Sequence, residues 1–418
     1  MSKACIITLG CKQNKYESDC MAKILQDAGF ETNEKLEVAD VYILNTCAVT
    51  AEAEKKSRQY IAKFNKLNDK AKIIVCGCAS QNNLEQFASK NGVFSIIGTE
   101  GKEQILEIIN SNVKKICEFS STYNSPKTPI KTTTREYLKI QDGCNNFCTY
   151  CLIPYLRGRT RSRDLNEIVD EANLIATRSN EIVLTGIDIS SYKVDGKPAL
   201  SILMNKLAQI PALIRLGSLE VGVVTEEFMQ VLSAMPNFAQ HFHLSLQSGD
   251  DEILKKMNRH YTSEEYFEKV CLIRKYFPLA NITTDVIVGF ASETESQFEN
   301  TKNFIEKVGF SFVHIFPYSK REGTVAYNFP DLPSSIKKHR VDVLEEVNKK
   351  LQQKYLSQFI DKKSTMLAEE KKEYFEGFSP NYIRCYADKD LVSGCVYNII
   401  FKEIYLDGIK VEILNEKE

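Results

Sequence analysis

Apolar residues come in short runs at 4–9, 41–46 and 72–77, rich in Ile, Val, Leu and Thr, and each run is followed by a stretch with helical spacing, 16–28, 50–66 and 82–90. Short apolar runs alternating with helices predict βαβ units around a parallel sheet buried on both faces. The alternation resumes with strands predicted near 137–141, 181–187, 213–219, 240–246, 281–288 and 310–316. Six βα steps in succession predict a partial parallel barrel, (β/α)6, with chemistry at the C-terminal ends of its strands. Residues 334–363, Lys-rich and punctuated by Leu and Val, predict a helix leading out of the barrel. Beyond it the pattern shifts to short alternating strands, with Gly377, Gly394 and Gly408 at the turns. The fold class is α/β, divided into an open parallel sheet domain (1–119), a linker (120–134), the partial barrel (135–333), the connecting helix (334–363) and a small strand-rich domain (364–418).

Composition narrows the setting. The 418 residues carry a net charge of −1, with 43% hydrophobic and 26% charged residues, as in ordinary soluble proteins. The first ten residues lack a signal-length apolar region and no run approaches a membrane-spanning length, so a cytoplasmic location and no membrane partner are expected. Thirteen cysteines in a reducing compartment point to metal or redox chemistry rather than disulfides.

Three of these thiols, Cys144, Cys148 and Cys151, fall within eight residues at the end of a predicted strand. Zinc in a structural site wants four ligands, and no further cysteine lies nearby in sequence. A redox Cys-x-x-Cys would leave Cys144 unexplained, and buried thiols would not need the polar turn made by Gly143, Asn145, Asn146 and Thr149. A [4Fe-4S] cluster with one open iron suits the triad best. Cys11, Cys47 and Cys78 stand at or just beyond the ends of three successive strands, where ligands gather in open α/β sheets, and suggest a second metal site. Cys76 competes with Cys78 by strand parity, but Cys78 lies past the strand end and is preferred; Cys5 and Cys20 are expected to be structural.

Other strand-end residues are candidate cofactor-binding groups: Gly186 and Gly289 for close backbone approach, and Glu220, Gln247 and Ser248 for hydrogen bonding. Between Lys127 and Arg163 the chain carries eight Lys/Arg against two Asp/Glu. Arg157, Arg159, Arg161 and Arg163 directly follow the cysteine loop and are expected to form a phosphate-guiding rim. The five histidines show no ligand spacing, and none is assigned to metal.

Cys144-x3-Cys148-x2-Cys151 at a strand end resembles the signature of radical S-adenosylmethionine enzymes. The resemblance implies that S-adenosylmethionine chelates the open iron and is cleaved by an electron from the cluster to a 5′-deoxyadenosyl radical. The segments Thr8-Leu-Gly-Cys11-Lys-Gln-Asn14, Asn45-Thr-Cys47-Ala-Val-Thr50 and Cys76-Gly-Cys78-Ala-Ser-Gln81 resemble the N-terminal domain of the methylthiotransferases. In that family the three cysteines hold an auxiliary [4Fe-4S] cluster that receives the sulfur to be inserted, and the barrel is of radical-SAM type.

His243-Leu-Ser-Leu-Gln-Ser-Gly249, Lys256-Met-Asn-Arg259 and Thr284-Asp-Val-Ile-Val-Gly-Phe290 look like family segments around the S-adenosylmethionine pocket. Ala291-Ser292 departs from the family's usual Pro-Gly. Residues 364–418 resemble the small β-barrel called TRAM, assigned to RNA contact, although seven Lys/Arg against eleven Asp/Glu make it acidic here. Tyr374, Phe375, Phe378 and Tyr382 could stack bases or fill the barrel.

Family substrates are threonylcarbamoyladenosine-37 of tRNA, isopentenyladenosine-37 of tRNA, or an aspartate of a ribosomal protein. The segments Ile140-Gln-Asp-Gly-Cys144 and Tyr155-Leu-Arg-Gly-Arg-Thr-Arg-Ser-Arg163 look most like the first branch. The resemblance thus implies a tRNA partner, an external electron donor, a sulfur source and two [4Fe-4S] clusters with S-adenosylmethionine. A zinc-dependent, non-catalytic RNA-binding protein is the alternative of another class.

Overall fold

A computed structural model describes residues 2–49, 51–124, 129–131 and 133–416. Thr50, beside the Cys47 segment, and linker residues Ser125, Pro126, Lys127, Thr128 and Thr132 lie outside the described residues. Strands β1 (Lys3–Thr8), β2 (Glu31–Asn33), β3 (Val41–Thr46), β4 (Lys72–Gly77) and β5 (Val93–Ile96) form a sheet in the order β2-β1-β3-β4-β5. All its pairings are parallel. Alternate residues fill two cores: Cys5, Tyr42, Leu44, Ile73 and Val75 on one face, Ala4, Ile6, Ile43, Ile74 and Cys76 on the other. Burial on both faces is why these strands read as continuous apolar runs. The expected helix at 82–90 is divided into Cys78–Asn82 and Leu84–Ala88, because Asn83 is extended (φ −151°) and accepts from the Gln86 N–H as a cap.

The central domain opens with β6 (Glu136–Lys139), followed by β7 (Gln141–Asp142), which pairs antiparallel with β8 (Arg161–Ser162) and closes the base of the cysteine loop. β9 (Glu181–Thr185) pairs parallel with β6, and β10 (Lys193–Val194) and β11 (Lys197–Pro198) make a small hairpin. β12 (Leu213–Leu216), β13 (Ser218–Leu219), β14 (His241–Leu244), β15 (Asn281–Val288) and β16 (Phe312–Pro317) continue the parallel series. The ladder is interrupted between β12 and β13 at Gly217, where a Cβ would sit 2.7 Å from the Leu184 carbonyl. The six expected βα steps are therefore present as a curved parallel sheet backed by helices, with one continuous apolar core.

Helix Ser334–Ser357 packs on β16, and Asn348 exchanges hydrogen bonds with the Val313 backbone. It stops short of the expected residue 363: Asp361 adopts a left-handed φ of 63° and donates its N–H to Phe401, starting the next domain. That domain is a closed barrel of β17 (Lys363–Lys371), β18 (Phe375–Phe378), β19 (Arg384–Ala387), β20 (Val396–Tyr405) and β21 (Gly408–Glu416), ordered β17-β18-β19-β21-β20. Phe375 is in its core. Phe378 and Tyr382 stack on each other, their centroids 4.7 Å apart, and take the Arg135 guanidinium over both rings, which docks the barrel onto the central domain. No helix among the described residues is long and apolar enough to cross a membrane.

Candidate active site

The loop after β7 turns on Gly143 (φ 74°), where a Cβ would lie 2.0 Å from the Arg159 carbonyl. The Asn258 side chain donates to the Asn146 and Phe147 carbonyls, and the Thr149 hydroxyl donates to the Lys256 carbonyl. The segment Lys256–Arg259 thus clamps the loop that carries Cys144, Cys148 and Cys151. Each sulfur accepts a hydrogen bond: from Asn146 N–H to Cys144 (3.4 Å), from Arg259 Nη1 to Cys148 (3.3 Å) and from Ile153 N–H to Cys151 (3.4 Å). Burial, with Cys148 and other anions adding to it, pushes Cys144 and Cys151 up to about 12. Sulfurs that are supplied with donors yet penalised as bare thiolates fit a bound cationic metal centre, which offsets the charge.

The second triad is assembled by three strand ends. Cys11 follows β1, Cys47 follows β3, and Cys78 opens the helix after β4. Gly10 (φ 101°) is required beside it, since a Cβ there would meet the Cys47 Cβ and Sγ at 2.8 and 2.9 Å. Burial pushes Cys47 up to about 11, with Cys78 and Cys11 adding to it. The parity argument for Cys76 fails because the strand ends at Gly77 (φ 100°), which turns Cys78 out of register. Cys76 instead packs among Ile6, Ile43 and Ile74.

Among the described residues, His243, Asp285 and His314 form a group whose ligand atoms lie within 4.8 Å of one another, close enough to hold a metal ion.

The expected phosphate rim is corrected for three of its four arginines. Arg157 is 1% exposed and bonds Glu17, Asp142 and the Asn14 side chain. Arg161 is buried against Glu100, and Arg163 against Glu171 and the Tyr16 hydroxyl. Arg159 alone of the four is exposed, over the Phe147 ring.

Among the candidate cofactor residues, Glu220 accepts from Asn146 and pairs with Arg259, lining a cavity of about 430 Å³ beside the Cys144 loop. Gln247 (φ 71°) lines a second cavity, of about 260 Å³, with Cys151, Ala48 and Val49. Gly186 lines a third, of about 820 Å³, together with Cys11. Ser248 and Gly289 serve packing instead. Ser248 is fully buried against the Thr301 hydroxyl, and a Cβ on Gly289 would meet Lys337 Cγ at 2.6 Å.

Sequence reasoning missed Asp188, which burial, then Glu220, pushes up to about 6, and whose Oδ1 is buried without a partner among the described residues. It also missed the polar wall of the largest cavity, where His243 Nε2 lies 3.3 Å from Asp285 and His314 stands alongside. The parallel register that sets Asp285 opposite His314 was the signal, and it needed the strand pairing to be known.

The chain matches the family described as uncharacterized protein family UPF0004 over residues 3–98, and the Radical SAM superfamily over residues 138–305. It is 37% identical to threonylcarbamoyladenosine tRNA methylthiotransferase MtaB of Aquifex aeolicus, covering 84% of this chain and 89% of that one. The MtaB protein of Bacillus subtilis is 36% identical, over 92% and 90%. A tRNA-2-methylthio-N(6)-dimethylallyladenosine synthase of Dictyoglomus thermophilum is 35% identical, over 100% and 99%. In fold, the chain is similar to the radical S-adenosylmethionine methyltransferase TsrM of Kitasatospora setae, with a TM-score of 0.57 at 15% identity, covering 76% of this chain and 75% of that one.

Proposed function

The chain belongs to the radical S-adenosylmethionine methylthiotransferases, and on that premise we propose that it converts N6-threonylcarbamoyladenosine at position 37 of tRNA to its 2-methylthio derivative. Cys144, Cys148 and Cys151 would hold the radical-generating [4Fe-4S] cluster, and Cys11, Cys47 and Cys78 the auxiliary one. When bound, these groups and S-adenosylmethionine supply the radical that removes hydrogen from adenine C2 and the methylthio sulfur that replaces it. The hydrogen leaves homolytically, so none of the protein's side chains is needed as a base.

The chain's own residues position and shield. Lys256–Arg259 fixes the first cysteine loop, while Glu220, on the 430 Å³ cavity beside that loop, and the buried Asp188 next to it offer carboxylates to a cationic cofactor with hydroxyl and amino groups. Arg157 ties the first loop to the second triad through Glu17 and Asn14. The observation that carries the reading is that Cys11 lines the 820 Å³ cavity and Cys151 the 260 Å³ cavity, and that the two cavities share Asp285 and Phe316 as walls. One cysteine of each triad thereby lines one of two neighbouring cavities with walls in common, which supports a shared reaction site. An external electron donor, a sulfur source and a cytoplasmic setting complete the proposal.

The test is mass spectrometry of nucleosides from total tRNA of a strain lacking the gene and of its parent. Loss of 2-methylthio-threonylcarbamoyladenosine with accumulation of the unthiolated nucleoside is expected. Persistence of the thiolated form, with no second enzyme to make it, overturns the assignment and directs attention to isopentenyladenosine or the ribosomal protein.

A further inference from the structure

The cavity of about 820 Å³ is lined by a cation that the fold leaves uncommitted among the described residues. Lys12 follows Cys11 at the start of the helix Lys12–Asp27 and lines the 820 Å³ space shared by all three domains. Among the described residues none makes a hydrogen bond or ion pair with its ammonium. Of the other charges on the wall, Arg384 pairs with Glu376 and Asp407, and Asp285 lies 3.3 Å from His243 Nε2, which matches its charge only when protonated. Nearby Arg135 and Arg215 add positive potential, and their own carboxylates, Glu369 and Glu181, are each held in a direct ion pair. An exposed ammonium at the wall of a cavity, with guanidinium groups nearby and no carboxylate within ion-pair distance of it among the described residues, is a receptor for a negative group.

We propose that Lys12 binds the carboxylate on the N6 substituent of the substrate adenosine and so sets the preference for an anionic over an apolar substituent. The inference rests on the threonylcarbamoyl reading above. The chemistry of the base supports the placement. Adenine C2 and N6 lie on the same edge, separated by N1, so a base presented with C2 toward the Cys11 site carries its N6 group past the adjacent residue. Threonylcarbamoyl ends in a carboxylate, whereas an isopentenyl group offers no charge to pair.

The test uses the reconstituted holoenzyme, its Lys12→Gln and Lys12→Arg variants, and anticodon stem-loop RNA in three forms: threonylcarbamoyladenosine, its neutral carboxyl methyl ester, and unmodified adenosine. Wild type is expected to bind the acid about tenfold or more tighter than the ester. K12Q should lose that preference while binding unmodified RNA as wild type does and keeping its iron, and K12R should retain part of the preference. Equal weakening of all three RNAs by K12Q would assign Lys12 to a backbone phosphate, loss of auxiliary iron would assign it to the cluster, and an intact acid-over-ester preference would assign the carboxylate elsewhere; each overturns the proposal. If wild type itself fails to methylthiolate the acid form, the substrate reading has failed instead, and the proposal falls with it.

Discussion

Arg157 Nη1 lies 2.7 Å from Glu17 Oε1, in a buried ion pair joining the loop that follows Cys151 to the helix that follows Cys11. The same guanidinium bonds Asp142, and Lys139 and Lys102 complete the cluster of charges around the two carboxylates. Removing one partner of a buried pair leaves the other charge uncompensated, at a cost of about 3–5 kcal/mol. Arg157→Met is expected to lower stability by that order in denaturant unfolding, and to reduce iron bound by the Cys11 triad because the positive charge of Arg157 favours the Cys78 thiolate.

The pH dependence of that loss follows from the carboxyls. Burial alone would raise Glu17 and Asp142, but Arg157 and the lysines overcome it and hold both below the usual carboxylate range. Depressed folded-state values mean that the stabilisation is whole above about pH 4 and is lost as pH falls toward those values. The difference in Tm between wild type and R157M should therefore be constant from about pH 7 to 5 and shrink below about pH 4. A difference that grows in acid would refute it.

Cysteine variants separate the two triads. Cys144→Ala and Cys47→Ala should each lose about half of the iron and acid-labile sulfide of the anaerobically reconstituted protein, since each site would hold one cluster. Cys76→Ala should keep the full complement, because Cys76 lies in the apolar core of the sheet.

Gly10→Ala tests the strand-end geometry. The residue has φ 101° and no room for a Cβ beside Cys47. The substitution should destabilise the protein by about 1 kcal/mol or more and lower iron in the Cys11 triad, read by thermal melting and metal analysis, while iron in the Cys144 triad stays.

Arg159 is left as the solvent-facing arginine of its run. Arg159→Gln should weaken tRNA binding and reduce the slope of log affinity against log salt by about 1, as expected for one phosphate contact. An unchanged slope would remove Arg159 from the interface.

The positions of the six cysteines in the fold were legible in sequence because each is tied to a local event: a spacing of three and two residues in one loop, or the end of an apolar run. The six-step barrel was legible for the same reason, as a repeated alternation. The arginines were not. Their partners Glu17, Glu100, Asp142 and Glu171 are scattered over the chain, and no local pattern states that a charge run will be neutralised from a distance. Ser248 and Gly289 looked like ligand contacts because they end strands, but the helices packed behind them claim both positions.

The bond between Glu17 and Arg157 also makes the N-terminal domain electrostatically dependent on the central one. Glu17 meets Lys102 within its own domain, while Lys139 and Arg157 reach it from the central domain, so an N-terminal fragment ending near residue 119 would carry this acid with only one of the three cations that the full chain gives it.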